Sequence, residues 1–157
     1  MSVVINIARI RKPVEEYAGE EPASVFELDN DEEARPAGPL LYRLTVELVH
    51  DRLVVRARVS AAFKLRCRRC VGYFDATLRD EDMLRSYEIA SDTEFVDLTD
   101  DLREAIILAL PSYPLCASEC KGLCPQCGAN LNEGMCACPA PPADEKWRGL
   151  DGLRLES

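Results

Sequence analysis

The chain has 157 residues, of which 47% are hydrophobic and 30% charged, a balance that suits one globular core with a small appendage. The longest uninterrupted apolar run extends only from Ala105 to Leu110, so we expect a soluble, cytoplasmic protein with no membrane partner. The formal net charge of −9 argues against indiscriminate binding to phosphate backbones, but the charge is unevenly distributed along the chain.

The N-terminal forty residues contain one predicted strand and an acidic segment. Residues 2–10 alternate weakly and are rich in β-branched side chains, which predicts the strand. Residues 15–33 contain nine acids and no base, so we expect this segment to be solvated and partly mobile. Within it, residues 25–28 could form a short strand or pack on the core. An alternative interpretation is an acidic arm that competes with nucleic acid for a basic face.

A β-hairpin over residues 40–67 is the clearest predicted secondary structure, because apolar and polar residues alternate along both arms. With Asp51 and Arg52 in a two-residue turn, the predicted cross-strand pairs are Leu48 with Val55, Val46 with Ala57, Leu44 with Val59 and Glu47 with Arg56. A slip of one residue would place arginines in the core, so the pattern specifies strongly which face is buried.

The second arm of this hairpin carries a basic stripe. From Arg52 to Phe74 there are seven bases and no acid, so the rest of the chain sums to −16. Neighbouring bases on one strand face are roughly 6–7 Å apart, a spacing that suits phosphate contacts. The candidate RNA-binding residues are Arg56, Arg58, Lys64, Arg66, Arg68 and Arg69. An ordinary solvated face, neutralised by Glu47 and the acidic segment, is an equally good interpretation.

Cys67 and Cys70 end this arm, and the residues up to Leu78 return as a strand, so the pair is expected at the tip of a second hairpin. The two thiols could form half of a metal site, a redox pair or neither. Redox catalysis is disfavoured, because it usually places such a pair at the start of a helix. The sequence from 80 to 97 is acidic and aperiodic, with a possible short strand at 94–98.

A helix is predicted over residues 99–110, with Thr99 as the capping residue and Pro111 enforcing the stop. Its apolar face is broad enough to cover an open sheet. That face contains Leu102, Ile106, Ala109 and Leu110.

Six of the eight cysteines lie between Cys116 and Cys138. The string Cys124-Pro-Gln-Cys127-Gly is typical of a knuckle that presents two thiolates to one metal ion. Zinc is the expected cofactor, because thiolates are soft ligands and four of them complete its tetrahedron. Disulfides would need an oxidising compartment, which the N-terminal sequence does not indicate. An iron–sulfur cluster fits the close spacing of Cys136 and Cys138 less well.

The predicted metal ligands are Cys67, Cys70, Cys116, Cys120, Cys124, Cys127, Cys136 and Cys138. The favoured partition has two sites, one formed by the first four cysteines and one by the last four. A single C-terminal site that draws on Cys116 or Cys120 is a close rival. Beyond the cysteines, residues 139–145 are expected to be extended and residues 147–153 to form a short helix. Trp147 in it is expected to pack against the metal module, with base stacking as the alternative.

These elements predict an α+β fold: an antiparallel β-sheet or open barrel, covered by one helix, with a C-terminal zinc-ribbon-like cysteine module. The expected division is a β-rich domain at 1–111 and the module with its tail at 112–157. No nucleophile–base constellation is visible, His50 is expected to be a turn residue, and no glycine loop could cradle a phosphate. We therefore expect no enzyme and no small-molecule substrate.

The whole pattern resembles the YceD-like family of proteins linked to accumulation of large-subunit ribosomal RNA. The resemblance covers about residues 40–153, and the string CKGLCPQCGANLN at 120–132 is its most specific part. It implies a non-enzymatic role in large-subunit assembly, with rRNA or a pre-ribosomal particle as partner and ribosomal or assembly proteins as further partners. The alternative is a zinc-stabilised protein–protein adaptor without direct RNA contact.

Overall fold

Four antiparallel strands, paired in chain order, form the main sheet of the computed structural model, which describes residues 2–139. These strands are β2 (Val14–Glu21), β3 (Ala34–Val49), β4 (Arg52–Arg66) and β5 (Tyr73–Glu88). A second, two-stranded sheet pairs β1 (Val4–Asn6) with β6 (Phe95–Asp97), and the helix α1 spans Thr99–Leu108. Short 3-10 helices cover Ile7–Arg9 and Ala23–Phe26. The predicted tail elements at 139–145 and 147–153, including Trp147, lie almost entirely outside the described residues.

The core lies between one face of the main sheet and the elements that cover it. Alternate residues of β4, from Leu53 to Leu65, are buried, as the alternation predicted. Leu102 and Ile106 of α1 are fully buried in the same cluster. The predicted α+β class is therefore confirmed in its coarse form: residues 2–139 form antiparallel sheets with one helix, and the main sheet within them is not closed into a barrel.

The predicted hairpin register was wrong by two residues. The turn lies at His50 and Asp51, and the structure pairs Val49 with Arg52, Leu48 with Leu53, Val46 with Val55, Leu44 with Ala57 and Glu47 with Val54. His50 adopts a left-handed conformation, with φ of 57°, which lets the chain reverse one residue earlier. Because side chains alternate with a period of two, a shift of two keeps each residue on its predicted face.

The acidic segment is more ordered than predicted. Its first part forms β2, which pairs with β3 from Val14–Glu47 to Glu21–Leu40. Its middle part contributes Phe26, which is buried and meets the ring of Phe63 at a centroid distance of 5.0 Å. The buried Phe26 agrees with the expectation that residues 25–28 could pack on the core, whereas strand β2 was not predicted.

The predicted first strand was too long, and the aperiodic region after residue 80 was assigned wrongly. Only Val4–Asn6 is a strand, and a 3-10 helix follows it. Strand β5 continues to Glu88, with Leu78 and Met83 both buried against β4. A bulge in the β4–β5 pairing lies between them and changes the phase of the alternation. The short strand predicted at 94–98 is present as β6.

Thr99 does not cap the helix as predicted. Its hydroxyl donates to Asp97 Oδ1 at 2.6 Å, and its Oγ1 accepts the backbone N–H of Val3 at 2.8 Å. Thr99 therefore ties the start of α1 to the small sheet. The helix ends at Leu108, slightly before the predicted limit. Within residues 2–139, no helix is long and apolar enough to cross a membrane.

Candidate metal centres and basic face

The first group of cysteines joins the tip of the β4–β5 hairpin to the segment after α1. Cys67 and Cys70 lie between the two strands, and Cys116 and Cys120 approach them from the C-terminal side. The Sγ atoms of Cys67 and Cys120 are 3.8 Å apart, and those of Cys70 and Cys116 are 3.7 Å apart. All four sulfur atoms lie within 4.8 Å of one another.

The second group lies entirely within the C-terminal module. Its members are Cys124, Cys127, Cys136 and Cys138, and their sulfur atoms also lie within 4.8 Å of one another. The eight thiols thus form the two groups of four that the sequence analysis favoured. Metal binding by them remains a prediction.

The two CxxC segments have the same backbone geometry. The N–H of Val71 donates to the Cys67 carbonyl at 2.9 Å, and the N–H of Gly128 donates to the Cys124 carbonyl at 2.9 Å. The N–H of Cys67 donates to the Gly72 carbonyl at 2.9 Å, and the N–H of Cys124 donates to the Ala129 carbonyl at 2.8 Å. Val71 and Gly128 both have positive φ, 62° and 72°. The segment at the hairpin tip is therefore a second knuckle, with a β-branched residue where the other has glycine.

The sulfur spacing fits a tetrahedral metal ion. With Zn–S bonds of about 2.3 Å, tetrahedral geometry places the sulfur atoms about 3.8 Å apart, close to the two distances in the first group. N–H groups also point at the sulfurs. The backbone N–H of Arg69 lies 3.4 Å from Cys67 Sγ, and Asn132 Nδ2 lies 3.3 Å from Cys120 Sγ. Such donors orient thiolate ligands and stabilise their charge.

Each group contains at least one thiol whose pKa is lowered and at least one whose pKa is raised. Burial raises the pKa of Cys67, but backbone N–H groups outweigh it and lower the pKa to about 6. Backbone N–H groups of Cys127 and Gln126 lower the pKa of Cys124 to about 6 as well. Hydrogen bonding to a neighbouring cysteine raises the pKa of Cys116 and of Cys138 to about 12. A metal cation bound by the four sulfurs would take the place of the protons in the hydrogen bonds between neighbouring cysteines.

Arg69, one of the candidate RNA-binding residues, joins the hairpin tip to the module. Its guanidinium donates to the carbonyls of Ser118 and Cys120 at 3.3 and 3.0 Å. Its own carbonyl accepts the N–H of Leu123 at 3.2 Å. The preceding residue, Arg68, donates its backbone N–H to the Pro114 carbonyl at 2.9 Å. These contacts give Arg69 a structural role at the end of β4.

Several other members of the basic stripe form ion pairs. Lys64 lies 2.8 Å from Asp75, Arg58 lies 3.8 Å from Glu81, and Arg66 and Arg68 lie 3.4 and 3.2 Å from Glu33. Glu33 belongs to the acidic segment, as the solvated-face interpretation expects. Arg56 has no ion pair among residues 2–139. The stripe is therefore partly neutralised at its hairpin-tip end and less so in the middle of the sheet.

The sequence reasoning missed two basic residues on the same face, Arg43 of β3 and Arg79 of β5. In the structure Arg43 is directly opposite Arg58, and Ser60 is opposite Arg79. The predicted register placed Arg43 opposite Ser60, so it could not predict the pairing of Arg43 with Arg58. The alternation along β3 was the available signal, since it already put Arg43 on the outer face.

Two adjoining cavities of about 450 and 410 Å³ lie on this outer face, and Arg43, Arg58 and Glu81 line both. The residues of the larger cavity come from all four strands of the sheet, with Glu16 contributed by β2 and Asp82 by β5. The face is therefore grooved, and it carries both signs of charge.

Comparisons with known proteins match this chain to relatives in plants and bacteria. A chloroplastic YCED homolog 1 of Arabidopsis thaliana, named as a large ribosomal RNA subunit accumulation protein, is 36% identical over 59 residues, which is 38% of this chain and 18% of the plant protein. An uncharacterized protein of Mycobacterium tuberculosis is 28% identical over 160 residues, covering 82% of this chain and 70% of the relative. One of Mycobacterium leprae is 34% identical over 110 residues, covering 59% and 49%.

The match to the plant protein thus spans less than a fifth of that protein's length, and the match to the M. leprae protein about half. No solved structure matches the chain. A family model described as "Large ribosomal RNA subunit accumulation protein YceD" matches residues 75–154, which is just over half of the chain and includes six of the eight grouped cysteines. The chain therefore belongs to the YceD family.

Proposed function

We propose that this protein is a non-enzymatic factor in large ribosomal subunit biogenesis, which supports accumulation of large-subunit rRNA by binding rRNA or a pre-ribosomal particle. The observation that carries the proposal is the family match over residues 75–154. The plant relative, named for the same process, supports it. We place the protein in the cytoplasm, with a β-rich domain at 1–111 and the cysteine module at 112–157.

In this proposal each cysteine group holds one zinc ion in a closed structural site. The sulfur spacing and the all-thiolate donor set support this assignment. Zinc would supply cross-links that hold the C-terminal module together and fasten it to the hairpin tip. Four thiolates leave no coordination position for water, so the sites would have no hydrolytic role.

The RNA contact is assigned to the basic stripe on β4. Phosphate backbones reward clustered bases, and acids more than a Debye length of about 8 Å away are screened. The net charge of −9 would limit non-specific binding. Arg56 and Arg58 are the central members of the stripe, whereas Arg66 and Arg68 would have to exchange Glu33 for phosphate.

The test is a pull-down of the tagged protein from cells, with and without ribonuclease, reading out both rRNA and ribosomal proteins. Without ribonuclease, we expect the tagged protein to recover large-subunit rRNA and its associated proteins. After ribonuclease treatment, we expect both the rRNA and these proteins to be lost. Replacing Arg56, Arg58, Lys64 and Arg66 together with glutamine should flatten a log–log salt slope of about −3 without unfolding the hairpin. Recovery of neither rRNA nor large-subunit proteins would refute the proposal.

The second candidate function is a zinc-stabilised protein adaptor with no direct RNA contact. The ion pairs along the stripe favour it, and so do two exposed apolar residues of the module, Tyr113 and Met135, which are 61% and 97% exposed. Under this alternative a ribosomal or assembly protein would remain bound after ribonuclease treatment, and the quadruple glutamine variant would keep its association with large-subunit precursors.

A further inference from the structure

We infer that the groove across the outer face of the main sheet, centred on Arg43 and Arg58, is a binding site for the phosphate backbone of an RNA strand. The inference deepens the proposed function and rests on it for the identity of the ligand as RNA. It moves the centre of the RNA contact from the stripe along β4 to a cluster that crosses β3, β4 and β5. We call this cluster the arginine groove: Arg43, Arg56, Arg58 and Arg79.

The first observation is a like-charge cross-strand pair. Arg43 and Arg58 are direct partners in the β3–β4 register, so their Cβ atoms are about 5 Å apart on the same face. Like charges in this position destabilise a sheet. On β2 the residue directly opposite Arg43 is Ala18, which is uncharged, and the acids Glu16 and Glu20 are diagonal to Arg43. An anion bound between the two guanidinium groups would relieve the repulsion.

The second observation is that more cations surround this pair. Ser60 is the neighbour of Arg58 two residues along β4, and it is opposite Arg79, so Arg79 is diagonal to Arg58. Arg56 lies two residues from Arg58 in the other direction, roughly 6–7 Å away along the strand. Within residues 2–139, neither Arg43, Arg56 nor Arg79 has an acidic partner, whereas Arg58 has a long, exposed contact of 3.8 Å with Glu81.

The third observation is the shape of the surface. The two cavities of about 450 and 410 Å³ share Arg43 and Arg58, so the cations line one shallow, open depression. Acidic Glu16, Glu81 and Asp82 also line it. They would limit the binding of arbitrary polyanions, and an RNA strand would have to align its phosphates with the arginines.

The chemistry favours an RNA backbone over an acidic peptide. Guanidinium groups offer paired N–H donors that match phosphate oxygens, and phosphates repeat along a strand at a spacing comparable to that of side chains on one strand face. Tyr42, half-buried, is the one aromatic among the residues that line the two cavities. The groove therefore lacks a stacking platform, and we expect contacts to phosphates with little base preference.

The test compares two double variants of the full chain with equal loss of charge. Arg43→Gln/Arg58→Gln removes the central pair. Arg11→Gln/Arg52→Gln removes two exposed cations outside the groove and serves as the control. The probe is a fluorescein-labelled oligouridylate of about 12 nucleotides, a length in the range of single-strand sites. Binding is followed by fluorescence anisotropy over a salt series.

Four phosphate contacts on a single strand predict a log–log salt slope of about −3 for the wild type. We expect the groove variant to reduce the slope to about −1.5 and to weaken binding at least about tenfold, while the control keeps a slope near −3. Relief of the like-charge pair should raise the melting temperature of the groove variant by about 1–3 °C. A lower melting temperature would show that the pair stabilises the sheet and would overturn the inference.

Other outcomes separate this inference from the proposed function. If the wild type fails to bind the oligouridylate, or if both variants bind it equally, the groove is not the RNA site. If poly-glutamate displaces the RNA at equal charge concentration, the groove takes acidic peptides and the inference is overturned. Sedimentation of the wild type with large-subunit precursors is measured in parallel. Groove-dependent RNA binding without such sedimentation would support the groove and refute the proposed function.

Discussion

The knuckle glycine at position 128 allows a prediction in which only backbone conformation differs between variant and control. Gly128 has φ of 72°, and a Cβ atom at this position would meet no other atom within 4 Å. Gly134, in the same module, has equally open space where a Cβ atom would lie, but its φ is outside the left-handed range. Alanine at either position loses the same freedom in the unfolded chain. The difference between the two variants therefore isolates the cost of a left-handed L-residue.

That cost is about 1–2 kcal/mol for an L-amino acid. If folding of the module is coupled to zinc binding, the cost is a loss of zinc affinity, and 1.4 kcal/mol corresponds to tenfold. We expect Gly128→Ala to weaken one of the two zinc-binding steps about 5- to 30-fold relative to Gly134→Ala. The assay is competition with a chromophoric chelator, resolved into two steps. The other step should be unchanged, because the first site does not contain this knuckle.

Equal zinc affinities for the two alanine variants would refute this reasoning, and so would a larger loss for Gly134→Ala. Val71 makes a useful comparison, because it occupies the equivalent position of the first knuckle with φ of 62°. A β-branched residue in that conformation is strained. The first knuckle evidently tolerates this strain within the hairpin tip, where the surrounding strands fix the backbone.

The remaining predictions concern the metal, the core and the helix. Chelation should unfold the chain after about Pro111 and leave much of the β-domain, and Cys124→Ser should be severe locally, since structural zinc contributes on the order of 10 kcal/mol; a folded, protease-resistant tail in that variant would contradict the reasoning. Phe26→Ala should lower the free energy of unfolding by about 3–5 kcal/mol in urea titrations, because the ring is buried, and a loss below about 1 kcal/mol would mean that the acidic segment does not pack. Tyr87 donates its hydroxyl to Asp101, and burial and this bond raise its pKa above the ordinary value of 10. The folded state therefore holds this proton more tightly than the unfolded chain, so its contribution to stability is complete below pH 10 and is lost as the pH rises further. In urea unfolding, Tyr87→Phe should lower the free energy of unfolding by about 1.5–3 kcal/mol near neutral pH. Above pH 10 the stability of the variant should fall less than that of the wild type. If both fall equally, Tyr87 is not the source of the stability lost at alkaline pH.

Sequence periodicity was sufficient to predict the faces of the central strands but not their register. The alternation along β3 and β4 is compatible with any shift by two residues, since such shifts bury the same side chains. The turn decides between these registers, and here it depends on His50 adopting a left-handed conformation. A non-glycine residue rarely adopts this conformation, so the position of the turn, and with it the register, could not be predicted from the residue types.

The acidic N-terminal segment shows a second limit of pattern reasoning. Its charge indicated a solvated segment, and only core packing at residues 25–28 was anticipated, yet the segment also provides the edge strand β2. Strand β2 carries acids on both faces, with Glu15 and Glu21 on the side of the buried residues Val46 and Leu40, and charges on an edge strand protect it from pairing with other chains. The apolar positions of β2 are few, so their alternation is weak. Tertiary pairing with β3 stabilises a strand that local propensity does not predict.

The cysteine grouping was more predictable because metal geometry constrains it. Two CxxC pairs, one CxC pair and the wider pair of Cys116 and Cys120 leave few ways to surround ions with four sulfurs each, the close rival being a single C-terminal site. The strand–turn–strand context placed Cys67 and Cys70 at a hairpin tip, and the structure has them there. The backbone likeness of the two knuckles was not predictable, because the first one has Val71 in place of the glycine that marks the motif.

The position of the first cysteine group links the two proposed properties of the molecule. Strand β4 carries two of the four groove arginines, Arg56 and Arg58, in its middle, and Cys67 follows directly after its last residue. The following residues bind the module through the Arg68 N–H and the Arg69 guanidinium. A zinc ion in this group would therefore fix the module against the end of the strand that contributes most to the proposed RNA-binding face. Zinc binding by the first cysteine group would then determine whether one chain can bind RNA and a partner of the module at the same time. Loss of zinc from the second group would leave β4 undisturbed.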